Sequence, residues 1–401
     1  MDNENPKKKK VFSPSRTVWR TQMGKGIYTP HRISRITCII NHLLSDKIID
    51  FLKNLNVVVY IESGRSVRQF VKQRPFGLPG EIANLQNAPV DIFRFSIPRE
   101  NSKQVIESIN AIAELHKMGR GTIFSQDLME FSNEPPTINL SFLSKSTVNI
   151  QEANLQTNLA YVICVLSIPG SGENLAKIAL DLGICVPLIT IGSGNDIRDQ
   201  LGLIRITISA EKEIVHLVMP EQDSSSIVRL LIEQARLDRP GRGFIYQTPI
   251  TMGLIDTRLK IGRQKDAASV EQIIAAIDQL KSGTNWRKRL DSDHENKLGK
   301  NLHPQDNCEI SIISDEDRID RLREACMKVG ATGATTSRVL PKVGKREKQI
   351  TSAMIRSAIS VPANLTDNVV DLLLEVSTIK NDTTDRIQVL DSPAAYVPHL
   401  E

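Results

Sequence analysis

Apolar positions along this chain follow two alternating rhythms, and the alternation occurs three times. Strand-like runs from Ile36 to Ile40, Val162 to Leu166 and Glu309 to Ile313 are each followed by apolar residues spaced three or four apart. The stripes are Leu44, Ile48, Phe51 and Leu55; Leu175, Ile178, Ala179 and Leu182; and Ile319, Leu322, Cys326 and Val329. That spacing puts one apolar face on a helix. Asn56, Gly183 and Gly330 stand where a left-handed residue would end each helix, and β-prone runs such as Val57-Val58-Val59-Tyr60 follow. Further strand-like runs end in proline at Ile97-Pro98, Met219-Pro220 and Val361-Pro362, each before a second helical pattern. Gly119-Arg120-Gly121 and Gly241-Arg242-Gly243 begin 21 residues after that proline, where the third copy has Thr383-Thr384-Asp385. Matching offsets over about 100 residues predict one unit used three times: strand, helix, strand, long loop, strand, helix, strand.

That order predicts an α+β fold of three ferredoxin-like (βαββαβ) repeats, each with two helices on one face of a four-stranded sheet. The first strands Ile36-Thr37-Cys38-Ile39-Ile40 and Val162-Ile163-Cys164-Val165-Leu166 are nearly continuous in apolar residues, which implies burial on both sides. Three sheets packing face inward about a pseudo-threefold axis, a single-chain pseudotrimer, would provide the cover. The expected organisation is a basic, flexible N-terminal arm at 1–33, repeat 1 at 34–132, a linker at 133–157 and repeat 2 at 158–263. An amphipathic helix and polar linker at 264–306 and repeat 3 at 307–397 complete it. Ile138 to Phe142 offers an extra edge strand, and Val270, Ile273, Ile274, Ile277 and Leu280 share a helix face.

The 401 residues, 40% hydrophobic, can bury several small cores, and no run approaches the roughly 18 apolar residues of a spanning helix. The polar, lysine-rich N-terminus lacks a secretory core segment. Five cysteines, Cys38, Cys164, Cys185, Cys308 and Cys326, have no metal spacing and predict buried, reduced thiols in a cytoplasmic protein. The net charge of +5 is uneven, because residues 1–35 hold nine Lys or Arg against two acids. The block Lys7 to Lys10 with Arg16, Arg20 and Lys25 could touch nucleic acid, anionic lipid or an acidic partner, or be a solvated arm. Nucleic acid is expected only through residues 7–35.

Met118-Gly119-Arg120-Gly121-Thr122-Ile123-Phe124 and Pro240-Gly241-Arg242-Gly243-Phe244-Ile245 resemble the phosphate-cradling loop of the P-II nitrogen-regulatory signal-transduction family and its divergent relatives. Gly192-Ser193-Gly194-Asn195-Asp196, Leu201-Gly202-Leu203 and Ala210 to Val215 look like a short P-II-like second-strand loop. Arg258-Leu259-Lys260 is similar to the basic pair with which that family grips phosphates across a subunit interface. The loops depart from the family's Gly-Asp-Gly-Lys: Arg120 and Arg242 replace the acid, and Thr122 and Phe244 replace the lysine. The long first-copy loop, Glu62 to Pro89, contains Gly64-Arg65, Arg68-Gln69 and Gly77-Leu78-Pro79-Gly80. Glycines permit positive φ, successive N–H groups form an anion nest, and an adjacent Arg adds bidentate hydrogen bonds. Tight turn geometry alone would also explain the glycines.

The resemblance implies nucleotide binding between copies, with ATP, ADP or another adenine nucleotide as ligand and no cofactor required. The nucleotide-site candidates are Gly64, Arg65, Gly119, Arg120, Gly121, Gly192, Gly194, Gly241, Arg242, Gly243, Arg258 and Lys260. The third copy, without glycine at Thr383-Thr384-Asp385-Arg386, is expected to be degenerate. Gly170-Ser171-Gly172 lacks the rest of a dinucleotide fingerprint, the seven histidines have no zinc spacing, and His216 is expected in the core. No catalytic group can be assigned, so the expected function is a non-enzymatic regulator controlling an enzyme or transporter partner through its long loops. Two alternatives stay open: a structural adaptor with degenerate clefts, and an amino-acid-binding regulatory subunit of the ACT type.

Overall fold

The computed structural model describes residues 28–73, 81–117, 119–146, 153–194, 211–239, 241–262, 305–331, 333–342, 354–378 and 385–396. The first stretch runs β1 (Thr29–Asn41), α1 (Ser45–Leu55), β2 (Val59–Gln73), β3 (Glu81–Pro98), α2 (Ser102–Ala113) and β4 (Gly121–Ser132), followed by α3 (Leu140–Ser146). The second runs β5 (Leu159–Leu166), α4 (Ser171–Asp181), β6 (Leu188–Gly194), β7 (Glu211–Pro220), α5 (Glu221–Ala235) and β8 (Gly243–Ile250), with short β9 (Met252–Leu254) and β10 (Lys260–Gly262). The third runs β11 (Gln305–Asp315), α6 (Glu316–Lys328), β12 (Gly333–Lys342), β13 (Met354–Pro362), α7 (Thr366–Thr378) and β14 (Arg386–Tyr396). Asn56, Gly183 and Gly330 all adopt left-handed backbone, with φ of 61°, 69° and 104°.

The strands overturn the expected fold class. Instead of three ferredoxin-like sandwiches whose separate sheets merely face one another as a pseudotrimer, they form one mostly antiparallel, 14-stranded sheet. Nine of them close into a barrel in the order β2, β3, β1, β4, β14, β8, β5, β7 and β6, which pairs back onto β2. The path β14-β11-β13-β12 branches from it, and β12 pairs with both β2 and β6. The physical reason lies at the edges. A lone four-stranded sheet would leave β2, β6 and β12, and β4, β8 and β14, with unpaired N–H and C=O groups, and these edges satisfy one another across stretches. Hydrophobic periodicity reports which faces are buried and is silent about edges.

Two further expectations are corrected. The long loop from Glu62 to Pro89 is mostly a regular hairpin, β2 pairing with β3 from Val59 opposite Phe95 to Gln73 opposite Glu81. Its residues Val67 and Val71 are buried, Val67 joins the core around α4 and α5, and β10 adds a parallel pairing to β2. The 133–157 linker holds helix α3 where an edge strand was expected, because the Asn139 side chain accepts from the Phe142 N–H (3.1 Å) and fully buried Leu143 anchors the turn in the first core.

Each helix pair covers its own apolar cluster, and a fourth cluster including Ile39, Ile92, Phe124, Ile163, Ile214 and Tyr246 fills the space between. This central cluster explains why all eight residues of β5 are buried. The five cysteines are unpaired and buried, and burial pushes the thiols of Cys308 and Cys326 up to about 12. Among the described residues no helix is long and apolar enough to cross a membrane. The basic arm before residue 28, the 264–304 helix and linker, Gly77 to Gly80 and Thr383-Thr384 lie outside the described residues.

Candidate functional site

The first glycine loop meets a stretch more than 130 residues further along the chain. Gly119 and Gly121 have φ of 87° and 145°, and the 255–259 turn lies against them. The Asp256 carboxylate, 4% exposed, organises the contact. Its Oδ1 accepts from the Gly119 N–H at 2.9 Å and the Arg258 N–H at 3.0 Å, while its Oδ2 takes the Arg68 guanidinium of β2 at 2.7 Å. Thr122 Oγ1 accepts from the Asp256 N–H at 3.0 Å, and Arg68 also donates to the Arg258 carbonyl. Arg258 lies across Gly119 so closely that a Cβ there would stand 3.1 Å from its Cδ.

Arg120 is bound to Glu114 at 3.0 Å, with both side chains about two-fifths exposed, so this pair adds little stability. Between these groups lies a cavity of about 60 Å³, lined by Gly119, Arg120, Gly121, Arg68, Asp256 and His216 among others. Enclosed ligand pockets usually run to about 300 Å³ and above, so this space suits one anionic group and not a whole nucleotide. Arg68, Arg120 and Arg258 face Asp256 and Glu114, and Glu114 also binds Lys117, so four cations meet two carboxylates.

The other candidates disperse. Gly64 is a crossing point where a Cβ would stand 3.0 Å from the Ile189 carbonyl, and Arg65 reaches Glu213 at 3.8 Å. Gly192 presses on the Thr336 carbonyl and Gly194 pairs with Thr335, both at the β6–β12 junction. Arg242, with Gly241 and Gly243 beside it, borders a different cavity of about 250 Å³ between α4 and α5, with Arg236, Ser171 and Asn174. Lys260 lies in β10 opposite Gln69. Of the twelve sequence candidates, the structure therefore brings Gly119, Arg120 and Gly121 to the wall of this cavity and sets Arg258 against Gly119. Sequence reading did not place Arg68 or Asp256 there; the signals present were Arg68-Gln69 in the long loop and Asp256 two residues before Arg258.

Behind this cleft the barrel wall carries a second polar cluster. Arg94 is bound to Glu62 at 2.5 Å, and Glu309 Oε1 accepts from both Arg35 (2.9 Å) and Arg356 (3.1 Å). Burial alone would raise Glu62 and Glu309, but Arg94 for the first and Arg35 for the second hold them below the ordinary carboxylate value. His216 bridges Tyr161 Oη (2.7 Å from Nδ1) and Thr190 Oγ1 (2.9 Å from Nε2), and burial, aided by Arg94, lowers it to about 3. It is a neutral core residue at neutral pH. Among the described residues no cluster of His, Cys, Asp and Glu could hold a metal ion. No protein-family model matches the chain, and no curated protein matches it.

Proposed function

We propose that the protein is a non-enzymatic cytoplasmic regulator that binds an anionic metabolite in the cleft between the first glycine loop and the 255–259 turn. The observation that carries this reading is the convergence of Arg68, Arg120 and Arg258 on the positive-φ backbone of Gly119 and Gly121. The phosphates of ATP or ADP are the first ligand to try, since a phosphate group matches both the room and the guanidinium donors. Arg68 belongs to the β2–β3 hairpin, so a ligand that prefers one arrangement of Arg68 biases that hairpin and the enzyme or transporter partner it fits.

Asp256 favours a second reading. Its carboxylate already takes the Gly119 N–H that a phosphate would use, as expected of an adaptor whose cleft is sealed by its own side chain. Calorimetry with ATP and ADP on wild type, Arg258→Ala and Asp256→Asn separates the two. The regulator reading expects binding weakened at least about tenfold in Arg258→Ala, the loss of one charge-assisted hydrogen bond, and tightened in Asp256→Asn. Absence of heat with all three proteins overturns it in favour of the adaptor.

A further inference from the structure

Inside the barrel, on the far side of His216 from the glycine loop, lies a separate cavity of about 10 Å³ lined by Arg35, Arg94, Arg356, Glu62, Tyr161 and Tyr246 among others. Among the described residues the charges around it do not balance. Glu62 neutralises Arg94, but Glu309 uses a single oxygen for both Arg35 and Arg356. The other ion pair of this region, Arg386 with Glu130, is complete in itself. Burial keeps Tyr161 and Tyr246 protonated and His216 uncharged, so neither sign is supplied from there.

Three guanidinium groups therefore share two carboxylates at depth, Arg35 being 3% exposed and the Arg356 side chain 11%. An uncompensated charge at such a depth is expensive, which makes a bound counter-ion the economical arrangement. The donors for it exist. Arg35 Nε and Arg356 Nε are buried and have no hydrogen-bond partner, and both residues line the cavity. Glu309 Oε2 is likewise without a partner, so the cluster is under-coordinated on both sides. The available volume is that of about one water molecule, too small for phosphate or a carboxylate ligand.

We infer that this chamber holds one monatomic anion of the halide class, bound by Arg35 and Arg356, as a structural counter-ion of the barrel. The site is distinct from the cleft at Gly119: its ligand is spherical, it is enclosed by strands, and it completes the fold without requiring a partner.

Bromide is the probe. Crystals grown in sodium bromide should show an anomalous peak in the chamber beside Arg35 and Arg356, and its absence overturns the inference. In parallel, urea unfolding is compared in sodium bromide and in sodium gluconate at equal ionic strength, the gluconate ion being too large to enter. At bromide 100 times its Kd the unfolding equilibrium constant should fall about 100-fold. Arg356→Met should lose this bromide preference, and Glu309→Gln, which keeps every arginine and removes a competing charge, should strengthen it. An equal salt response in wild type and Glu309→Gln, as expected of a chamber that holds only water, also overturns the inference, whether or not Arg356→Met folds.

Discussion

Lowering the pH should destabilise this protein through one side chain in particular, His216. Burial first, then the neighbouring Arg94 and Arg356, disfavour its imidazolium and lower it from 6.5 to about 3, while Glu62 and Glu309 act in the opposite sense. An unfolded chain takes up this proton below about pH 6.5, and the folded chain does so only near pH 3. The depressed pKa therefore contributes stability that is fully present above about pH 6.5 and is lost progressively as pH falls toward 3. At about 1.36 kcal/mol per pH unit, going from pH 7 to pH 5 removes about 2 kcal/mol through this group alone. The measurement is urea unfolding followed by circular dichroism at both pH values for wild type and His216→Gln. The glutamine is less stable at pH 7, because it cannot reproduce both bonds to Tyr161 and Thr190, but its loss on acidification should be smaller than that of wild type by about 2 kcal/mol. Parallel losses in the two proteins would show that His216 is not held neutral, and the account of it as a buried neighbour of Arg94 and Arg356 would fall with it.

Glycine is favoured at Gly121 and Gly170 for different reasons, and substitution separates them. A Cβ at Gly121 would lie 2.2 Å from the Ile39 carbonyl oxygen at φ 145°, so Gly121→Ala should cost about 3 kcal/mol or more by denaturant midpoint. Gly170→Ala, at φ 78° with nothing within 4 Å, should cost only about 1–2 kcal/mol for the left-handed backbone; equal costs would refute the steric argument. Arg94→Met strands the buried Glu62 carboxylate and should cost about 3–5 kcal/mol, whereas Arg94→Met with Glu62→Leu should recover most of it. A double variant no more stable than Arg94→Met would mean that the pair is not the source of the cost.

Much of the local structure was legible. The three-or-four spacing of Ile48, Phe51 and Leu55 lies on α1, the left-handed stop at Asn56 sits at its end, and the unbroken apolar run of β5 is buried throughout. Helix α3 was not legible, because seven residues with one deeply buried leucine carry too little periodicity to separate a helix from a strand. The β2–β3 hairpin was read as a loop because its polar residues, such as Glu62, Ser66 and Gln69, are buried through hydrogen bonds and ion pairs, which an apolar pattern does not register. Gly119-Arg120-Gly121 was singled out as chemistry from its own residues, yet Asp256, which occupies its N–H, comes from another part of the chain.

By itself the sequence determined what nearest neighbours along the chain can decide: the two helices of each stretch, the left-handed stops at Asn56, Gly183 and Gly330, the burial of β5 on both faces, and that one order of elements recurs. The tertiary structure alone decided how edges meet, turning expected separate sheets into a closed barrel, and which charges come to share its interior. Edge pairing and charge balance depend on groups hundreds of residues apart, such as Arg35 and Glu309, whose energies arise only once folding brings them to 2.9 Å in the buried interior.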